Sequence, residues 1–591
     1  MKSLQVLNKY FYKYRKRLLI GVLFVSISVF FGVLPAQLVR ESFDVVEKAI
    51  EGYKNKPDFD YSNLRNKLIL YGLIIIGSSL LKGLFMFFMR QTIIVVSRHI
   101  EYDMKNEIFA QYQALSLAFY KRNRTGDLMN RISEDVSRVR MYVGPALMYS
   151  INVAMTLLII IPIMIYWSPR LTLYVLLPLP ALAASIYYVS KKINIQSEKV
   201  QRQLSQISSH VQEAFSGIRV LKAYTREERS KEDFAEEAQH YFERNKGLFR
   251  INALFFPLML LLIGLSTILT VYIGGLETIS GRISTGVIAE FIIYVNMLTW
   301  PVASIGWVTS LIQRAAASQE RINEFLSITP DIENPTEASF SFQGNVEFKN
   351  VTFTYPDTGI TALKNVSFRL ESGQSLAILG RTGAGKSTIA QLVGRLYDVD
   401  EGEILVDGKP IHTINLNDLR SAIGYVPQEA FLFSSSLADN IAFGSDEGSD
   451  ELIREAARSA QVHENILDFP QQYQTRVGER GITLSGGQKQ RVSIARAIMK
   501  KPRLLIFDDC LSAVDTETEE KILQQLRKLI KQRTSIIISH RVSSVKNADH
   551  ILVLDHGQIV EQGQHEELIA HQGAYHELYQ QQLTEQKPKA V

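Results

Sequence analysis

Six long apolar runs fall within the first 313 residues, and they constrain this chain more than any other feature. A helix needs about 20 mostly apolar residues to cross a bilayer. Runs 18–39, 141–169, 171–190, 251–276 and 291–313 reach that length with no charged side chain, and run 68–89 reaches it with one, Lys82. A single run of this kind would suit the buried core of a soluble protein. Six in one half of a chain read as membrane spans. Pro35, Pro162, Pro178, Pro180, Pro257 and Pro301 lie inside the runs, which a bundle tolerates because neighbouring helices re-satisfy the carbonyls that proline frees.

Charge gives the spans a direction. Lys2, Lys9, Lys13, Arg15, Lys16 and Arg17 precede the first run with no acid among them. This predicts a cytoplasmic N-terminus, an external 40–67 loop and, after six crossings, a cytoplasmic C-terminal half. The first run is too long for a signal-peptide core and lacks a small-residue cleavage site. Runs three and four are separated by almost nothing, at 167–170, and runs five and six by about fourteen residues around Gly281. Runs two and three lie about fifty residues apart and runs four and five about sixty. Both long gaps are charged and poor in glycine and proline. They predict helices two to five extended as cytoplasmic stalks, with turns at 120–127 and 214–220 able to touch a cytoplasmic domain.

The second half is different in kind. The residues 376–379 form a short apolar strand, followed at once by Gly380, Arg381, Thr382, Gly383, Ala384, Gly385, Lys386, Ser387 and Thr388, and then by an apolar-periodic helix carrying Ile389, Leu392, Val393 and Leu396. This strand, glycine loop and helix order is what a P-loop requires. The glycines let backbone N–H groups turn toward phosphates, and the helix N-terminus adds its positive end. Lys386 is expected to neutralise the β- and γ-phosphates of ATP, and Ser387 to ligate Mg²⁺. A second apolar strand, 504–507, ends in Asp508 and Asp509. Asp508 is the expected partner of Mg²⁺, and Asp509 stands where an acid orients or deprotonates the attacking water. His540, after a third apolar strand, is a candidate for the γ-phosphate. Gln428 is a candidate for the metal or the water. Tyr355 is a candidate to stack on adenine, or else a core aromatic of its strand.

Together these residues resemble the ATP-binding cassette (ABC) family. The decisive addition is Leu484, Ser485, Gly486, Gly487 and Gln488, which match that family's signature, with Ser485 lying 23 residues before Asp508. The resemblance implies two cassettes packed head to tail, each ATP held between one chain's P-loop and the other's signature. It further assigns 512–515 to the inter-cassette loop and 475–481 to the segment that meets the membrane domain. Over the whole chain the pattern resembles an exporter-type half-transporter, such as bacterial multidrug and lipid-flippase subunits. One cassette per chain implies a second half-transporter as partner.

The expected fold is an α-helical polytopic membrane domain followed by an α/β P-loop cassette. The expected boundaries are 1–325 for six helices and two coupling loops, 326–344 for a linker, 345–585 for the cassette and 586–591 for a tail. The expected function is ATP-driven export or flipping of a small amphipathic or lipid-like substrate across the cytoplasmic membrane. An ATP-gated channel or regulatory subunit of the same layout is the alternative. A net charge of +5 gives no reason to expect a nucleic-acid partner. The single cysteine, Cys510, excludes an intrachain disulfide or a cysteine metal cluster. One departure from the family stands out. Asp509 occupies a position where glutamate is usual, and it is one methylene shorter. A displacement of about 1 Å can cost on the order of 100-fold in rate. The favoured reading is therefore a heterodimer in which this chain carries the impaired site, with a homodimer in which Asp509 and His540 suffice as the other.

Overall fold

The computed structural model describes residues 2–55, 62–445, 448–478, 484–510, 522, 524 and 533–586. The chain divides into two compact units, residues 1–111 with 126–328, and residues 112–125 with 329–591.

In the first unit each apolar run lies in a longer helix, the third overrunning its helix by two residues: α1 Arg15–Asn55, α2 Ser62–Ala114, α3 Thr125–Trp167, α4 Pro169–Ser216, α5 Glu227–Ile279 and α6 Thr285–Leu326. All six are long and apolar enough to cross a membrane. The helices α2 and α5 have 53 residues each. At about 1.5 Å per residue each is about 80 Å long, far more than a hydrocarbon core of about 30 Å. The predicted stalks are thus continuous helix. Leu70, Leu73, Ile76 and Leu80 of α2, with Leu260, Leu261 and Ile268 of α5, stand exposed. So broad an apolar surface belongs against lipid. Inside the bundle, Ile160, Met164, Leu171, Val175, Phe291, Tyr294 and Leu298 pack into one core.

The connections follow capping chemistry rather than hydropathy. Ser168 takes an extended backbone and its hydroxyl accepts the Leu171 N–H, with Pro169 opening α4, so one residue reverses the chain. The link between α5 and α6 is five residues, 280–284, instead of about fourteen, because both helices run on past their apolar stretches until Gly281 turns left-handed at φ +72°. Both predicted cytoplasmic turns need correction. α2 stops at Ala114, and a short helix, Leu117–Arg122, precedes α3, so that connection is 115–124 rather than 120–127. The other is 217–226 rather than 214–220. Gly217 ends α4, a helix Ile218–Ala223 follows, and left-handed Thr225 makes a second break. Charge pattern alone does not reveal a short helix enclosed between two breaks.

Helix α3 also contains two π turns, Arg131–Asp135 and Tyr142–Ala146. Pro145 sits in the second, where its missing N–H suits a wider turn. The first turns Asp135 inward, where it is 3% exposed. There it accepts from Ser318 Oγ at 2.8 Å and from the Arg321 guanidinium of α6. Where α1 meets α6, Arg40 reaches the fully buried Glu290 at 3.2 Å and lies over the Trp167 ring at 4.1 Å. Tyr294 donates to the same carboxylate at 2.6 Å. Buried charges inside the bundle are therefore paired, as their desolvation demands.

Among the described residues the second unit has ten strands: β1 Val346–Thr354, β2 Thr361–Leu370, β3 Ser375–Gly380, β4 Glu401–Val406, β5 Lys409–Pro410, β6 Ile423–Val426, β7 Leu504–Asp508, β8 Thr534–Ile538, β9 His550–Asp555 and β10 Gln558–Gly563. One sheet is antiparallel, ordered β2-β1-β4-β5. The other is ordered β10-β9-β3-β8-β7-β6 and is parallel except for β10. Residues in β3 and β7 are buried throughout, which is why these strands read as unbroken apolar runs rather than alternating ones. The segment 112–125 belongs to this unit, with Ala118 in its core beside Phe353 and Leu392.

Candidate active site

The parallel sheet brings the chemistry to one edge. Leu376 of β3 pairs with Ile536 of β8, and Ile536 pairs with Ile506 of β7. The chain therefore leaves all three strands at the same edge, their C-terminal ends. From β3 the loop 381–385 enters α7, Lys386–Val393, which is anchored by buried Ile389, Leu392 and Val393. Gly385 caps this helix at φ +96°, and a Cβ there would lie 2.3 Å from the Ala362 carbonyl oxygen. Only glycine satisfies both the angle and the contact.

The side chains expected to hold phosphate and metal meet here. Lys386 Nζ donates to the carbonyls of Gly380 at 2.8 Å and Arg381 at 2.9 Å, curling over the loop. Burial lowers its pKa against the pull of Asp509 and Asp508. Ser387 Oγ donates to Asp508 Oδ1 at 2.7 Å, and Tyr425 OH donates to Oδ2 at 3.2 Å. Asp508 is 2% exposed. Burial raises its pKa, while the two hydroxyl donors hold it back. A hydroxyl oxygen touching a carboxylate oxygen is the donor set Mg²⁺ takes from a protein when substrate phosphates supply the rest. Among the described residues there is no cluster of three or more acid, histidine or cysteine side chains to compete with it.

Asp509, Gln428 and His540 form a single hydrogen-bonded chain. Asp509 has left-handed backbone, φ +45°, and its N–H donates to the Ile538 carbonyl at 2.9 Å. This holds the acid against the end of β8. His540 Nδ1 lies 2.9 Å from Oδ1, and Gln428 Nε2 donates to Oδ2 at 3.3 Å. A carboxylate oxygen accepts, so in this contact Nδ1 is the donor and Nε2 points away from Asp509. A cavity of about 570 Å³ opens over these groups, walled by Thr382, Gly383, Gly385, Lys386, Ser387, Thr388, Gln428, Asp509, His540 and Tyr355. Gly380, Arg381 and Ala384 belong to the loop but not to the cavity wall.

Tyr355 is part wall and part core. It packs edge-on against Phe353 at 5.0 Å and Tyr397 at 5.5 Å. Its hydroxyl bonds Thr388 Oγ1 at 2.9 Å and Gln391 at 3.2 Å. Lys121 Nζ stands 4.6 Å from its ring centroid and also lines the cavity. Neither Lys121 nor Tyr425 was singled out from the sequence. Lys121 is more than 230 residues from Tyr355 along the chain, and no spacing signals the contact.

The signature residues are not brought to this cavity. Ser485 caps the helix α8, Gly486–Met499, accepting the Gln488 N–H while Gln488 reaches back to the Ser485 N–H. Leu484 is buried beneath. Gly486 and Gly487 form the first turn, a backbone N–H surface suited to an anion. One strut joins α8 to the catalytic chain: Gln490 Nε2 donates to the Gln428 carbonyl at 3.2 Å. The expected inter-cassette loop at 512–515 and residues 479–481 lie outside the described residues.

Comparison with known proteins agrees with this geometry. Residues 18–302 match the ABC transporter transmembrane region and residues 363–512 match the ABC transporter family. The multidrug resistance-like ATP-binding protein MdlA of Escherichia coli is 37% identical over 82% of this chain and 82% of its own length. An ATP-dependent lipid A-core flippase of Syntrophus aciditrophicus is 34% identical over 88% of this chain and 85% of its own length. A solved structure described as a bacterial Atm1-family ABC exporter with ATP bound superposes with a TM-score of 0.78 at 27% identity, covering 96% of this chain and 99% of that one. With both matches fused in one polypeptide and the nucleotide-site residues assembled around one cavity, the chain belongs to the ABC transporter family, as a multi-pass membrane protein that couples ATP hydrolysis to transport.

Proposed function

We propose that this chain is one half of a dimeric exporter that moves an amphipathic or lipid-like substrate across the cytoplasmic membrane, with its N-terminus and cassette on the cytoplasmic side. The names of its relatives, a multidrug resistance-like protein and a lipid A-core flippase, support that substrate class. The basic N-terminal segment supports the orientation. The observation that carries the catalytic part is the Gln428–Asp509–His540 chain beside the P-loop.

In this reading Lys386 and the loop N–H groups hold the phosphates of ATP, and Tyr355 provides a face for adenine. Ser387 and Asp508 would hold Mg²⁺, which when bound neutralises charge on the phosphate oxygens. Gln428 and Asp509 orient the attacking water. Asp509 Oδ1 orients the His540 ring, and Nε2 is available to take or return a proton at the water or γ-phosphate. The signature of the other half-transporter closes the site. The short reach of Asp509 supports a heterodimer in which this site turns over slowly and the signature at 484–488 serves the partner's site. The second reading, a homodimer, has an observation of its own: both Asp509 oxygens are already hydrogen-bonded to the water-positioning side chains.

Steady-state ATPase activity of the purified chain, measured beside Asp509→Glu and Lys386→Ala, tests this. A slow site predicts negligible turnover that Asp509→Glu raises on the order of 100-fold. Robust wild-type turnover that Asp509→Glu leaves alone would establish the homodimer. Lys386→Ala abolishes turnover in a chain whose own site works; undiminished turnover would refute the phosphate role of Lys386.

A further inference from the structure

Two cations at the second apolar run stand outside the pairing seen for the buried acids of the membrane unit. Glu290 is paired with Arg40, Asp135 with Arg321, and Glu277 with Arg282 at 2.9 Å. Lys82 and Arg90 of α2, one inside and one just past the second apolar run, have no ion-pair partner among the described residues. Both are exposed, and both line an open cavity of about 400 Å³ bordered by α1, α2, α3 and α6. No aspartate or glutamate lines it.

The Lys82 side chain is turned onto the neighbouring helix α1. An ideal Cβ on Gly32 would come within 3.3 Å of Lys82 Cε and Nζ, so the side chain lies across α1 at that glycine. Gly32 is seven residues from the end of the first apolar run, and Lys82 is seven from the end of the second. That is about 10 Å of helix to the nearer end of either run. A lysine at this depth, held over a glycine and facing a cavity, marks a site by default. The rest of the lining suits a hydrocarbon chain. Met86, Met89, Met148 and Met297 are unbranched and adaptable. Trp300 adds a broad exposed face, while Asn296 offers a neutral hydrogen bond at the rim.

We propose that this cavity binds the anionic head group, carboxylate or phosphate, of an amphipathic substrate on Lys82 and Arg90, with its chain lying against the methionines and Trp300. The proposal rests on the exporter reading and narrows it from amphipathic compounds to amphipathic anions.

The test uses the full chain in phosphatidylcholine nanodiscs and two bromine-tipped probes of equal chain length and opposite charge, ω-bromoundecanoate and ω-bromoundecyltrimethylammonium. Bromine quenches tryptophan on contact, and the part of the quenching that Trp300→Phe removes reports this cavity. The expected result is binding of the carboxylate about tenfold more tightly than the ammonium. The double variant Lys82→Glu, Arg90→Glu reverses that order, a gain that misfolding cannot mimic, and Lys82→Gln alone weakens carboxylate binding. A brominated-chain phosphatidylglycerol that also quenches Trp300 assigns a membrane lipid as the source of the anion; carboxylate quenching without it assigns a soluble amphiphile. Tighter binding of the ammonium by the wild-type chain overturns the anion assignment and leaves the exporter reading standing. Absence of Trp300-specific quenching by either probe overturns the site itself.

Discussion

A lysine of the segment joining α2 to α3 stands in the wall of the nucleotide cavity. Lys121 covers the Tyr355 ring at 4.6 Å and approaches Tyr397 at 5.6 Å. Contacts of this kind are worth about 0.5–2 kcal/mol depending on solvation. Lys121→Ala is expected to weaken binding of a fluorescent ATP analogue about threefold, with Lys121→Arg close to wild type. Tighter binding by the alanine variant would show instead that Lys121 competes with the base for the ring. At this scale the sequence was legible where chemistry is contiguous. Gly380 to Thr388 can be read as a P-loop because one short segment carries the turn, the cation and the helix start. Asp508 was a Mg²⁺ candidate only because a P-loop precedes it, since an aspartate at a strand end says little alone; its hydrogen bond to Ser387 comes from the fold. Lys121 and Tyr425 were not, because their roles come from tertiary contacts between residues far apart in sequence, and neither residue type is unusual where it stands.

Elements were legible in their existence more than in their limits. Apolar length identified six helices because a bilayer demands it. Helix ends depend on caps and left-handed residues such as Gly281 and Thr225, which hydropathy does not record, so the turns between α2 and α3 and between α4 and α5 lie a few residues from their expected places. The π turns of α3 were invisible for a related reason: a helix widened by one residue keeps its composition. The turn Arg131–Asp135 has a measurable consequence, because it delivers Asp135 to Ser318 and Arg321 of α6. Arg321→Met leaves a buried carboxylate with Ser318 but without its half-exposed cation and is expected to destabilise the membrane unit by about 1–3 kcal/mol. Adding Asp135→Leu removes the orphaned charge and should recover most of the loss. Thermal unfolding in detergent reads both. Equal destabilisation by the single and double variants would show that packing, rather than charge pairing, holds the turn in place.

At the scale of the whole molecule, the two motifs proposed to build an ATP site stand apart within one chain. Lys386, Ser387, Asp509, Gln428 and His540 line one cavity, with Asp508 behind Ser387, while Leu484, Ser485, Gly486, Gly487 and Gln488 form a capped helix start that does not line it. A site completed by a second chain makes a prediction that a self-sufficient cassette does not. Lys386→Ala disables the P-loop half, and Ser485→Arg, which removes the cap hydroxyl and places a bulky cation where a phosphate would approach, disables the signature half. In a homodimer each variant alone is inactive. A mixed dimer regains one intact site, formed by the P-loop of the Ser485→Arg chain and the signature of the Lys386→Ala chain. With random pairing half of the dimers are mixed and each has one of two sites working, so co-expression should restore about a quarter of wild-type ATPase activity if the sites act independently. Recovery of that order would establish both the shared site and the sufficiency of Asp509. If wild-type homodimers are active but the mixture is not, the shared-site arrangement fails. If the wild-type chain alone is also inactive, the missing element is a different half-transporter, one bringing a glutamate where this chain has Asp509 and using this chain's signature for its own ATP.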